Sequence, residues 1–303
     1  MRILVTGASG LLGANLALEA AKDHTVFGLV NSLNLHTNAF QVLKGDLAEP
    51  GVIEHLLDQT QPEWVIHCAA LANVDACETD PARAVQMNTE VPRKLAMNVA
   101  RGGARLLHVS TDAVFDGVKG DYSESDLPNP LSVYARTKLD GEHAVTDANP
   151  KAIIARVNLF GWSPSGKRSL AEWFFNNLSA GKSVKGFTDV FFCPLLANDL
   201  GRIFLEMLQN QLHGLYHVVS QDCLSKYDFG VQLTHLFGFD AGLIHPTSVQ
   251  NSGLTAARSP NLTLKTTKLT QALGHPPSSI QEGLQKFYEL YQHKYPLKLR
   301  EML

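Results

Sequence analysis

The opening residues constrain this chain most. Arg2 to Thr6 is a short apolar run rich in β-branched residues, and it stops at a glycine. Gly7, Gly10 and Gly13 follow as G-x-x-G-x-x-G, and Leu11 to Lys22 then reads as a helix. Each glycine serves a distinct physical purpose. Gly7 permits the tight turn, Gly10 lets backbone approach a pyrophosphate, and Gly13 lets helix and strand pack closely. Unpaired N–H groups and the dipole at the helix start favour anionic phosphates. A lone glycine pattern says little. Placed between a strand and a helix, it predicts a dinucleotide site.

The first half of the chain keeps the same rhythm. Thr25 to Val30, Phe40 to Gly45, Trp64 to Ala70, Ala104 to Ser110 and Lys151 to Val157 read as strands. Val52 to Gln59, Pro81 to Arg101 and Asn129 to Ala148 read as helices between them. Continuous apolar strands alternating with helices predict an α/β fold, a doubly wound parallel sheet of Rossmann type. After Phe160 the rhythm loosens. Ser169 to Ala180, Asn198 to Asn210, Lys226 to Phe237, Leu269 to Leu273 and Ser278 to Tyr291 read as helices, and Gly214 to Val218 as a strand. We expect residues 1–160 to form the dinucleotide-binding domain. Residues 161–303 would form a smaller α/β portion, mainly for substrate, packed on the first and able to return elements to it.

The end of the second strand bears on cofactor choice. A site for NAD usually carries an acid there for the ribose hydroxyls. This chain has Val30, Asn31 and Ser32, with no neighbouring arginine to clamp a 2′-phosphate. The missing acid favours NADP(H) over NAD(H). Asp46 and Leu47 follow the third strand, where an acid can meet the adenine amino group. A turn or capping role suits Asp46 equally well.

Three further residues form a chemical set. Thr111 ends a strand, and Tyr134 and Lys138 stand at i and i+4 on one helix face. A free tyrosine has a pKa of about 10. A cation one turn away lowers it, so Tyr134 could pass a proton to a carbonyl oxygen while a nicotinamide supplies hydride. Thr111 could hold the same oxygen. Lys138 could also bind the nicotinamide ribose.

Composition excludes other classes. The 303 residues carry a net charge of −3, are 45% hydrophobic and contain no Lys/Arg run of the kind nucleic-acid binders show. Lys294 to Arg300 reads as a solvated tail. Cys68, Cys77, Cys193 and Cys223 form no C-x-x-C pair, and the histidines show no metal spacing. The cysteines read as free thiols, which fits a reducing compartment. No secretory signal or membrane-length apolar run stands out, so a cytoplasmic protein without a metal site is expected.

Beyond single motifs, the chain resembles the extended short-chain dehydrogenase/reductases, and among them the dTDP-4-dehydrorhamnose reductase family. The matching stretches are T-G-A-S-G-L-L-G (Thr6 to Gly13), V-I-H-C-A-A (Val65 to Ala70), S-T-D-A-V-F-D-G (Ser110 to Gly117), the run from Tyr122 to Glu142 containing P-N-P-L-S-V-Y-A-R-T-K, and R-S-P-N-L-T-L-K-T-T-K-L (Arg258 to Leu269). The resemblance implies Thr111, Tyr134 and Lys138 as catalytic residues. It implies a cofactor on Gly7, Ser9, Gly10, Leu11, Leu12, Gly13 and Asn31, beside Asp46, Leu47, Cys68, Ala69, Ala70 and Asn88. Thr111, Val114, Phe115 and Arg258 would meet a nucleotide-sugar substrate. A guanidinium fork suits Arg258 to a pyrophosphate, although a surface ion pair is the competing reading. A homodimer is the expected assembly.

The resemblance has gaps. Ala113 stands where the family commonly has an aromatic residue and where sugar dehydratases carry a catalytic Glu, which argues against dehydration. Val190 to Leu196 keeps Pro194 but lacks a G-x-P-T pattern. The expected activity is NAD(P)H-dependent reduction of a nucleotide-linked 4-keto-6-deoxy sugar. Two alternatives stay open: a nucleotide-sugar epimerase, and a regulatory NADP-binding subunit like the β subunit of methionine adenosyltransferase.

Overall fold

The computed structural model describes residues 1–251 and 259–303. Its centre is a seven-stranded sheet. The strands are β1 (Arg2–Thr6), β2 (Thr25–Val30), β3 (Gln41–Lys44), β4 (Trp64–His67), β5 (Arg105–Thr111), β6 (Ile153–Val157) and β11 (Gly214–Val218). They lie in the order β11-β6-β5-β4-β1-β2-β3, every pair parallel. The order reverses between β1 and β4, where an open α/β sheet leaves a crevice at the strand ends.

Continuous apolar strands arise because both faces of the sheet are covered. Along β1, Ile3 and Val5 enter one core while Leu4 enters the other. β4 repeats this, with Trp64 and Ile66 opposed to Val65. The first core lies under α1 (Leu11–Ala20) and α8 (Ala197–Gln209). The second lies under α2 (Val52–Thr60), α5 (Val91–Gly102) and α6 (Val133–Ala148). The predicted doubly wound parallel sheet is the fold observed, and β11 shows that the second half returns a strand to it.

Several local expectations need correction. The helix expected over Pro81 to Arg101 is broken into α4 (Pro81–Val85), a π-helical turn (Gln86–Glu90) and α5. Before it comes α3 (Val74–Thr79), capped by Asn73 and too short to show a readable period in the sequence. The C-terminal residues are not a solvated tail. They form α12 (Tyr295–Arg300), with Leu299 fully buried and Met302 nearly so. Its apolar positions are too few for a visible period, but they finish the first core.

The second half also holds β7 (Leu159–Phe160), α7 (Leu170–Leu178), β8 (Val184–Phe187), β9 (Phe191–Phe192), β10 (Leu195–Leu196), β12 (Leu224–Ser225), α9 (Lys226–Phe237), β13 (Ile244–Thr247), α10 (Thr267–Leu273) and α11 (Ile280–Gln292). The short strands pair as β7–β10, β8–β13 and β9–β12. Antiparallel pairing of Leu224 with Phe192 sets Cys193 beside Cys223, and the two are disulfide-bonded. Four free thiols were expected; only Cys68 and Cys77 are free. Spacing could not reveal a pair made by strand pairing, and half the basis for a reducing compartment falls away. Among the described residues, no helix is long and apolar enough to cross a membrane.

A buried ion pair locks α6 onto the sheet. Arg156 on β6 donates from Nε and Nη2 to the Glu142 carboxylate at 2.9 and 2.7 Å, and the Ser110 hydroxyl donates to the same group at 2.5 Å. Both charged side chains are about 95% or more buried. Breaking such a pair strands a charge, whereas removing both partners costs far less. Arg156→Met should lower the unfolding free energy by about 3–5 kcal/mol. The double variant Arg156→Met/Glu142→Leu should recover much of that loss, as read by urea denaturation.

Candidate functional site

A cleft of about 650 Å³ runs along the strand ends at the β1/β4 reversal. Its floor is the turn from β1 into α1. Gly7 has φ of +70°, and its carbonyl accepts from the Gly10 N–H at 2.9 Å. A Cβ on Gly13 would lie 2.2 Å from Gly7 O, so no side chain fits there. No side chain caps α1. The amides of its first turn are therefore left for an anion. Gly7, Ser9, Gly10, Leu11, Leu12 and Gly13 all line the cleft.

One end of the cleft is walled by Leu29, Asn31, Asp46 and Leu47. Asp46 accepts from the Ala48 N–H at 2.9 Å, which holds its carboxyl below the usual carboxylate range despite partial burial. Asn31 also hydrogen-bonds Asp46. The sequence suggested no arginine near Asn31. The fold supplies one: Arg83 from α4 reaches to 3.3 Å of Asp46 Oδ2. Only the return of α4 to the end of β3 brings them together.

Cys68, Ala69 and Ala70 form the middle of the wall, and Thr111, Tyr134 and Lys138 the far end. Ser132 caps α6, whose second residue is Tyr134. The Tyr134 and Thr111 hydroxyls are hydrogen-bonded. Burial pushes the phenol up to about 12. Lys138 was expected to pull it down, but the ammonium is engaged elsewhere. Nζ donates to Val109 O at 2.6 Å and stands 3.4 Å from His108 Nε2. Burial lowers Lys138 to about 8, opposed by the Glu142 carboxylate one turn on. Asp112 completes this end. Asn158 donates to Asp112 Oδ2 at 2.5 Å, and burial still pushes the carboxyl up to about 6.

Residues 1–293 match the model of a family described as "RmlD substrate binding domain". The chain belongs to that family. It is 34% identical to a probable low-salt glycan biosynthesis reductase, Agl14, of Haloferax volcanii, over 94% of this chain and 96% of that protein. It is 31% identical to methionine adenosyltransferase 2 subunit beta of Danio rerio, over 88% of this chain and 84% of that protein. A dTDP-4-dehydrorhamnose reductase structure from Clostridium acetobutylicum superposes with a TM-score of 0.82 at 28% identity, covering 96% of this chain and all of that one.

Within this RmlD-type frame, some residues singled out from sequence do not reach the cleft. Val114 and Phe115 are fully buried in a separate small core, Phe115 stacked on Tyr122 with centroids 4.1 Å apart. Their side chains are structural; the strand-end turn aims them inward. Asn88 is also fully buried. It braces the cleft wall from behind, accepting from Leu71 N–H at 2.9 Å and donating to Leu71 O and Thr137 Oγ1 at 3.1 Å each. The π-helical turn places it there, as such turns often do beside functional sites. Arg258 lies outside the described residues. Sequence reasoning missed Asn73, Met87, Asp112, Asn158 and Arg168, all in the cleft wall. Asp112 sat visibly next to Thr111; the others come from segments with no local signature.

Asp112 gives a pH test. Its folded pKa is raised from 3.8 to about 6, so the protein gains stability from this group below pH 4 and loses it as pH rises through about 6. At about 1.36 kcal/mol per pH unit, the difference is about 3 kcal/mol. Relative to Asp112→Asn, which keeps an acceptor for Asn158, the wild type should lose most of that between about pH 4 and pH 6.5 in urea unfolding.

Proposed function

We propose that this chain is an NAD(P)H-dependent reductase of a keto group on a nucleotide-linked sugar, with a 4-keto-6-deoxy sugar as the preferred class. One observation carries the reading: a single cleft joins the uncapped glycine turn to Thr111, Tyr134 and Lys138. The similarity to reductases over nearly the whole chain supports it.

The residues suit a dinucleotide. The turn amides would hold its diphosphate, with Asp46 and Leu47 placed to flank its adenine. A nicotinamide, when bound, would supply hydride. Tyr134 gives its phenolic proton to the carbonyl oxygen, and Thr111 holds that oxygen by a hydrogen bond. Lys138, anchored on Val109 O, would offer a donor to the ribose. Residues 161–303 contribute Arg168 to the cleft and would bind most of the sugar nucleotide. NADP(H) is the favoured form, because Asn31 removes the acid and Arg83 adds a guanidinium at that end.

A second reading has its own support in the likeness to the methionine adenosyltransferase β subunit. That reading needs no turnover, only cofactor and a partner enzyme.

The deciding assay follows NADPH absorbance with dTDP-4-dehydrorhamnose and other nucleotide ketosugars. Turnover is expected, and Tyr134→Phe should cut kcat about 10²- to 10⁴-fold while leaving NADPH binding intact. No turnover across the panel, with co-purification of a methionine adenosyltransferase, would replace this reading by the second. Lys138 loses its charge as pH rises through about 8. A basic limb near that pH in kcat/KM for NADPH should therefore vanish in Lys138→Met. Arg83→Ala should erase any preference for NADPH over NADH in direct titrations.

A further inference from the structure

Two cations line the cleft among the described residues, Lys138 and Arg168. Lys138 is committed to Val109 O. Arg168 is exposed, and among the described residues its guanidinium has no partner. It lines the same cleft as the turn from Gly7 to Gly13, on a loop whose placement can be followed bond by bond.

The segment carrying it is built rigidly. Glu172, fully buried in the first turn of α7, accepts from Ser163 N at 2.6 Å, Arg168 N at 2.8 Å and Ser169 N at 3.2 Å, and from the Ser163 hydroxyl at 2.9 Å. One carboxylate thus gathers the whole loop. Asn176 donates to Gly166 O at 2.8 Å, and Ser169 Oγ to Gly161 O at 2.8 Å. The loop is then docked on α1. Asn15 Nδ2 donates both to Leu11 O at 2.7 Å, within the phosphate turn's own helix, and to Trp162 O at 2.8 Å. Tyr295 of α12 fixes the Asn15 amide through Oδ1 at 2.8 Å.

Ser169 accepts from the Glu172 N–H, and Glu172 from the Arg168 and Ser169 N–H groups, so the turn that carries Arg168 is fixed at the start of α7. A guanidinium fork carried on a fixed backbone, and lining the same cleft as the uncapped start of α1, suits paired oxygens of a diphosphate. We infer that Arg168 clamps a diphosphate bridge in this cleft, that of the dinucleotide or that of the nucleotide-linked sugar. The inference rests on the functional reading above.

Titrations with NADPH, NADH and dTDP as probes test it without turnover. Arg168→Ala should bind NADPH and NADH, or dTDP, about 10- to 100-fold more weakly, in keeping with the loss of a charged hydrogen-bonded contact. Arg168→Lys should recover part of the loss, and thermal midpoints should stay at the wild-type value because the side chain is exposed. Equal loss for NADPH and NADH assigns the cofactor's bridge; loss for dTDP alone assigns the substrate's. Loss for NADPH but not NADH would mean that Arg168 reads a 2′-phosphate, and the inference falls. It also falls if all three probes bind the variant as they bind the wild type. A wild type that binds neither dinucleotide would instead overturn the functional reading.

Discussion

The close approach of α1 to the end of β1 governs everything else in this molecule. With Gly13 pressed against Gly7 O, the helix starts at the strand's tip and its unpaired amides face the crevice where the sheet reverses. If α1 stood off by the width of a methyl group, Asn15 would lose its bond to Trp162 O and α8 its packing surface. The cleft would then lose its floor and its loop together. One contact therefore fixes an anion site, the seating of the second half and the position of the cleft.

Behind the Thr111 and Tyr134 end of the cleft lies a second constraint, a polar column on one face of α6. Tyr134, Lys138 and Glu142 follow at intervals of four residues, and each meets a different strand-borne group: Thr111, Val109 O, and Arg156 with Ser110. His108 and His67 stack beside Lys138, with centroids 5.4 Å apart. Burial and the nearby lysine hold both histidines neutral, His67 at about 3 and His108 well below its ordinary value. A second cation next to Lys138 is thereby avoided. Charge in this column is limited to one ammonium and one neutralised pair. That is what a dry interior tolerates.

Much of this was legible in the sequence. The parallel sheet was, because strands buried on both faces leave continuous apolar runs. The glycine turn was, because its backbone geometry excludes most other residues. The Thr111, Tyr134 and Lys138 set was brought to one end of the cleft as the spacing required. What escaped the sequence shares one cause: contacts made across long chain separations. Arg83 meets Asp46, Cys193 meets Cys223, and Tyr295 meets Asn15 only after the sheet has formed. Val114 and Phe115 failed for another reason. A motif match names neighbours of a site but not which way each side chain turns, and here both turn into a core.

The proton inventory of the column bears on direction. A phenol pushed up to about 12 keeps its proton at neutral pH, and an ammonium brought down to about 8 still carries its charge there. The pair therefore rests as donor plus cation. In the reduction proposed above, a carbonyl oxygen that gains negative charge would meet Tyr134 in its protonated form. The reverse process needs Tyr134 as a base, which requires the phenolate that burial disfavours. Alkaline conditions would not simply open that route. Lys138 loses its charge before Tyr134 loses its proton. The same burial thus raises one group and lowers the other, and leaves Tyr134 protonated and Lys138 charged at neutral pH.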